Sequence, residues 1–416
     1  MRPFVLGHLL LLSLCSMAQA GSNDPAFNPT DLSGGTANGL NGSCRSIALQ
    51  PDGKILVAGD FTNVNGVERD RIARLNADGS LDLSFDPGFG ANAGVRALAL
   101  QADGKVLVGG MFTYFNGYCR NHIVRLNADG SVDEDFNTGN GFDGSVYAFL
   151  LQEDGRIVVG GDFFHLNGAI ARGLVRLNTD GSHDSGFDGG DVSIVYALTP
   201  MADGRIVVGG MFSFMSGVER RCITAIDHDG GVDLSFAPFG WGSSPVFAVK
   251  VQENGKVLAG GMIPGGIARM EANGEIDPFF GSGTTGFGGW DPWVYAMAVQ
   301  SDGRILCAGR FTSYNGTACN GMARLNGDGT LDTEFSIGEG FNGDLFSMAV
   351  QPDGKVITVG TTATTTGTVI GLTRHLRDGA PDASFGNGGQ VLTRVGTRGD
   401  SAQAVTVQSD GKIVVA

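Results

Sequence analysis

The residues best suited to chemistry are the oxygen-bearing side chains that recur in turns of the form NADGSLD. In the first copy Asn76, Asp78 and Asp82 offer three oxygen ligands within seven residues, the donor type that calcium takes. An EF-hand loop would need a further aspartate and a bidentate glutamate at the twelfth position, and neither is in place. The same residues have a second use in a hairpin. Counting outward from the turn, Arg74 faces Asp82, and the pairing recurs as Arg125/Asp133, Arg176/Asp184, Arg269/Asp277, Arg324/Asp332 and Arg374/Asp382; only Ala225/Asp233 departs. A cross-strand ion pair of this kind contributes roughly 0.2–1 kcal/mol and sets register. The hairpin reading is therefore preferred: no cofactor is expected, and calcium is the alternative.

Three other constellations point to chemistry only superficially. GNGFDG (Gly139, Gly141, Gly144), GSGTTG (Gly281, Gly283, Gly286) and GEGFNG (Gly338, Gly340, Gly343) fit G-x-G-x-x-G. A dinucleotide loop must follow a strand and open a helix, whereas these phrases precede strands. The six histidines show no metal-ligand spacing and no G-x-S-x-G elbow occurs, so no catalytic residue is assigned. Carboxylates are plentiful, but they belong to the repeated turns.

What positions these residues is a repeat. QPDGKILVAGDF, from Gln50, returns seven more times, with its turn glycine at Gly53, Gly104, Gly155, Gly204, Gly255, Gly303, Gly354 and Gly411, at intervals of 51, 51, 49, 51, 48, 51 and 57 residues. A second phrase, IARLNADGSLDLSF and its copies, lies between successive occurrences. Each unit thus holds four segments of strand character, in the first unit SIALQ, KILVAGDF, RIARLN and SLDLSF. Pro51-Asp52-Gly53 and Ala77-Asp78-Gly79 carry hairpin-turn chemistry, with glycine at the left-handed position. Four antiparallel strands per unit of about 50 residues predict an all-β β-propeller of seven to eight four-stranded blades, the last incomplete; a solenoid is the alternative. The Asp-Gly turns then share one rim and the variable loops the other, where function is expected. Asp24-Pro25-Ala26-Phe27 matches the Asp-x-x-Phe of the fourth segment, so an outer strand is expected at the start. Ala416 falls where other copies continue into glycine, which reads as truncation.

The recurrent AVTVQSDGKIVVA and DASFGNGGQVLT phrases resemble the delta-60 repeat family of secreted bacterial propellers of unknown function, over nearly the whole chain past residue 20. Most units here are shorter than that family's name implies. The double glycines (Gly109-Gly110, Gly160-Gly161, Gly209-Gly210, Gly260-Gly261) give a weaker resemblance to kelch propellers, whose spaced Tyr and Trp are absent. Neither resemblance implies a catalytic residue.

Composition narrows the setting. Residues 1–20, with Arg2, an apolar run and Ala18-Gln19-Ala20, read as a signal peptide, and residues 21–416 as a single repeat domain. Cys15 as a lipid-bearing residue is the runner-up, disfavoured by the bulky Leu14. The chain is expected to be secreted, periplasmic or on the cell surface. Net charge is −15, and −16 once Arg2 leaves with the leader, which argues against nucleic acid. No later apolar run is long enough to span a membrane. The five remaining cysteines fall at non-equivalent repeat positions, so no disulfide framework is expected; Cys307 reads as a core residue and a bond to Cys319 is not favoured.

One unit breaks the pattern. From the second segment's glycine to the third segment's Leu or Met, the first two units take 16 and 17 residues (Gly59 to Leu75, Gly109 to Leu126), but the fifth takes 10 (Gly260 to Met270). All three tryptophans flank that unit: Trp241 before it, Trp290 and Trp293 after it. The preferred expectation is that they fill the volume the deletion left. The functional alternative is a notch with aromatic platforms for an extracellular glycan or protein, with Trp241, Trp290, Asp291 and Trp293 as candidate ligand-binding residues. The sequence thus reads as a secreted, non-enzymatic scaffold or binding module. The alternatives are a polysaccharide-active propeller enzyme with Asp291 as its acid, or a calcium-stabilised surface adhesin.

Overall fold

The structure, a computed structural model, describes residues 40–393 and 402–415, apart from 41, 65, 78–79, 239–241, 282–285, 365–366, 386 and 409–410. Every regular element among them is a strand. Within each of the first seven repeats three segments pair antiparallel in chain order; in the first, Cys44–Leu49 pairs with Ile55–Gly59, which pairs with Ile72–Leu75. The middle strands of the first three repeats, ILVAG, VLVGG and IVVGG, are apolar throughout and buried on both faces.

The inner strands form a ring. Cys44–Leu49, Val95–Leu100, Val146–Leu151, Ile194–Pro200, Val246–Val251, Trp293–Val299, Gly343–Val350 and Val405–Val407 each pack against the next, and the last packs against the first. Closure is reinforced by side chains: Gln408 Nε2 donates to Ala77 O at 3.0 Å, and Arg45 Nη1 to Gln403 Oε1 at 2.5 Å. The final sheet has two strands, Val405–Val407 and Ile413–Val415, among the described residues. With the repeated sheets arranged in this ring, the fold is an all-β propeller.

The fourth segment departs from the expected strand. In seven repeats it contributes a single bridge, such as Leu75 to Leu81 or Leu126 to Val132. The cause is local. Asp82 Oδ1 accepts from the Ser84 amide at 2.9 Å and Ser84 Oγ at 2.6 Å, while the Phe85 amide bonds Asp82 O at 3.2 Å. That turn pulls the chain away from the ladder and buries Phe85. Among the described residues only the seventh sheet has a true fourth strand, Gln390–Thr393.

The double glycines have separate mechanical roles. A Cβ on Gly160 would lie 2.6 Å from Val195 Cγ1 of the next inner strand, so the first glycine permits close sheet packing. A Cβ on Gly161 would lie 2.1 Å from Ser145 O of its own sheet, where the inner strand bulges. This second glycine persists as Gly59, Gly309 and Gly360 in repeats that lack the doublet.

Candidate functional site

The turn rim holds its carboxylates in structural work. The predicted pairs form: Arg74 Nε–Asp82 at 2.7 Å, Arg125–Asp133 at 2.6 Å, Arg176–Asp184 at 2.7 Å and Arg324–Asp332 at 2.7 Å, with Arg269–Asp277 and Arg374–Asp382 alongside. They are buried rather than surface pairs, and each aspartate also meets the Lys or Arg after the first turn, as Lys54–Asp82 at 2.9 Å and Lys105–Asp133 at 2.8 Å. The arginines then do two further things. Each guanidinium stacks on the phenylalanine of the fourth segment, 4.5 Å for Arg125 over Phe136. Among the described residues, Nη1 in all but Arg374 also donates to a turn carbonyl of the following repeat, Arg125 to Thr179 O and Arg176 to His228 O, both at 2.6 Å. The pair is thus a latch between neighbouring sheets, more than the register-setting contact expected. Where Ala225 replaces the arginine, Arg205 takes both roles, meeting Asp233 at 2.7 Å and Ala272 O at 3.0 Å. A shallow pocket of about 510 Å³, lined by Arg205, Asp227 and Asp233, opens at that repeat.

The opposite face carries the variable loops. Five repeats extend the loop between middle and third strands into a two-stranded flap, such as Asn63–Val64 with Val67–Glu68. The fifth repeat has none and turns tightly, with the Gly266 amide bonded to Ile263 O at 2.8 Å. The aromatic that covers this turn is Phe287, buried and stacked on Phe311 at 4.1 Å. The expectation that tryptophans fill the space is therefore corrected at Trp290, whose surface is 86% exposed. Phe287 and Val294 close in on the turn from beyond it: a Cβ on Gly266 would lie 3.1 Å from Phe287 Cδ2 and 3.3 Å from Val294 Cγ2.

Trp293 opens an inner strand, with its ring edge-on to Tyr295 at 6.0 Å and Arg310 stacked at 5.3 Å. Asp291, between the two tryptophans, is exposed and holds a left-handed φ of 51°. Trp241 lies outside the described residues. Trp290 borders a groove of about 690 Å³ with Arg310, Asn320, Asn342 and Asp344. These residues belong to the sixth and seventh repeats, so the groove is displaced by one repeat from the notch expected at the fifth.

A second set of residues on this face was missed by the sequence reading. Seven of the eight inner strands carry a bulge near their start, seen for example as register jumps between Val95 and Ala97, Val146 and Ala148, Val195 and Ala197, Val246 and Ala248, and Val294 and Ala296. A bulge frees one residue from the ladder and re-aims its side chain. Around the ring the freed positions carry Arg45, Arg96, Tyr147, Tyr196, Phe247, Tyr295 and Phe346, and in the last repeat Gln403 stands just before the inner strand. All are partly exposed on the inner wall, at the end nearer the variable loops. The five aromatics form one arc, with neighbouring centroids 5.7, 5.8, 5.8 and 5.3 Å apart. Trp293 extends it outward through Tyr295.

The rest of the ring is polar. Arg45 Nε meets Asp60 at 2.9 Å and Arg96 Nη1 meets the same carboxylate at 3.0 Å. Burial opposes the Asp60 charge, but hydrogen bonds from both arginines outweigh it and hold the carboxyl below its usual range. Tyr147 Oη donates to Asp162 at 2.9 Å. Burial pushes the Tyr295 hydroxyl up to about 12, so it stays a neutral donor. The signal for this ring was present as a column: the residue before Ala or Ser in VRALAL, VYAFLL, VYALTP, VFAVKV and VYAMAV.

A family model described as "Domain of unknown function (DUF5122) beta-propeller" matches residues 50–85, 101–136, 152–187, 300–335 and 351–385. The two repeats between the third and fourth matched stretches include Ala225 and the shortened loop. No curated protein matches the chain. Among solved structures, Sqt1 of Chaetomium thermophilum is similar at 15% identity and a TM-score of 0.52, covering 91% of this chain and 93% of its own. The WD40 β-propeller domain of Doa1 is similar at 12% identity and a TM-score of 0.49, covering 78% and 91%. A gluconolactonase of Xanthomonas campestris, XC5397, has 15% identity and a TM-score of 0.35, covering 66% and 84%.

Proposed function

We propose that this chain is a secreted, non-enzymatic binding module whose eight sheets act as blades of one ring and whose variable-loop face takes an extracellular glycan. The observation that supports this most is the continuous aromatic surface from Trp293 through Tyr295 into the arc on the inner wall. Aromatic faces gain from apolar C–H surface, and sugar rings present such surface together with hydroxyls for nearby polar groups. Trp290, exposed beside the groove, would supply an outlying platform. The resemblance to delta-60 repeat proteins and the leader-like N-terminus support secretion.

A glycan screen with the wild type, Trp293→Ala and Trp290→Ala tests this reading. Binding without turnover, weakened by Trp293→Ala, is the expected result. Cleavage products from any glycan would favour the enzyme alternative, with Asp291→Asn as the variant to examine. The calcium alternative requires that a chelator lower the melting temperature, and no such shift is expected.

A further inference from the structure

We propose that the inner-wall ring is a site for an acidic saccharide, with Arg45 and Arg96 taking a uronate carboxylate while the aromatic arc stacks on the sugar rings; this rests on the glycan-binding reading above. The bulge is demanded by the fold, because the closing glycine and the register jump recur from sheet to sheet. The side chain it frees is not so constrained. Five successive repeats place an aromatic there, while the first two place arginine, so the ring is divided into an apolar arc and a cationic one.

The cationic arc is under-neutralised at close range. Two guanidinium groups converge on one carboxylate, Asp60, and their remaining polar contacts are with neutral groups, Gln403 Oε1 for Arg45 and Met111 Sδ for Arg96. Among the described residues one positive charge is left over, in a chain whose net charge is −15. Two acids elsewhere on this face are already engaged: Asp162 accepts from Tyr147, and Asp344 lies 3.8 Å from Arg310. Partial burial, with side chains 32% and 23% exposed, reduces screening while leaving both arginines reachable. Guanidinium donors suit a carboxylate, which they hold through paired N–H bonds. A ligand that offers both a carboxylate and stackable rings is an oligouronate, which matches the two arcs together.

The test uses the full chain and two probes, an oligogalacturonate and its carboxyl-reduced neutral counterpart, titrated calorimetrically at low salt. The wild type is expected to prefer the acidic probe by about tenfold. Arg96→Gln should abolish that preference and spare binding of the neutral probe. The fold is expected to survive, because Asp60 keeps Arg45 as partner. Tyr196→Leu, whose hydroxyl faces no hydrogen-bonding demand from an arginine, should weaken both probes alike; unchanged melting curves for both variants separate this from unfolding. Equal affinity for the two probes overturns the proposal, as does an Arg96→Gln variant that keeps the preference, or hexa-aspartate binding as tightly as the oligouronate. A neutral glycan whose binding depends on Trp293 but ignores both ring variants would overturn this inference alone. Failure of every glycan to bind would overturn the broader reading with it.

Discussion

The aspartates that look most like ligands are held by cations and amides of the fold, and this has measurable consequences. Burial pushes the Asp277 carboxyl up, but hydrogen bonds from Lys256, the Phe279 amide and Arg269 outweigh it and bring it to about 2. Asp382 reaches about 2 by the same balance with Ser384, Arg374 and Lys355, and Asp82 falls lower still. A carboxyl with a folded pKa below its unfolded value of about 3.9 contributes stability above that value and loses it as pH falls through the folded pKa. Thermal melts should therefore be level near neutrality and drop steeply between about pH 4 and pH 2. Arg205→Ala should destabilise by about 3 kcal/mol, because Asp233 then loses the cation that replaces the missing arginine. Arg304→Ala should cost under about 1 kcal/mol, since Asp332 retains Arg324; urea titrations compare the two. The cysteines give a third check. Burial drives the Cys319 thiol up to about 12 and Cys307 higher, and among the described cysteines only Cys119 is exposed. Ellman's reagent should titrate about one thiol in the native protein and the rest after denaturation.

At the scale of the element, the closing glycine of the middle strand joins folding to the site. Gly161→Ala would force a methyl group against Ser145 O, which the bulge cannot accommodate without moving Tyr147. A loss of about 1–3 kcal/mol is expected, together with a change in tyrosine fluorescence that Gly160→Ala, which presses on Val195 instead, should not reproduce. The three-strand core of each unit was legible in the sequence because two Asp-Gly turns and an apolar run leave few alternatives. The fourth strand was misjudged for an equally physical reason. SLDLSF alternates like a strand, yet Asp82 and Ser84 bend it away after one bridge. Local side chain–backbone bonds outcompeted the ladder.

Across the whole molecule, the latch arginines, with Gln351 and Gln408 near the end of the chain, tie successive sheets together. Destabilising one repeat should therefore propagate, and unfolding monitored by hydrogen exchange should protect middle strands of neighbouring sheets to similar extents. The two faces divide the work. The turn rim spends its charge on cohesion, and the loop face presents flaps, an exposed tryptophan and the mouth of the inner ring.

The order of turns and apolar runs in the sequence determined the all-β repeat, the Arg/Asp register and the separation of turns from variable loops, since all three follow from hairpin geometry within a unit. Tertiary structure decided what lies between units. It displaced the tryptophan groove by one repeat, left Trp290 in solvent, and brought Arg45, Arg96 and five aromatics onto one wall from positions about 50 residues apart. No local rule encodes that wall, because a bulge aims each side chain inward and only closure of the ring makes those side chains neighbours.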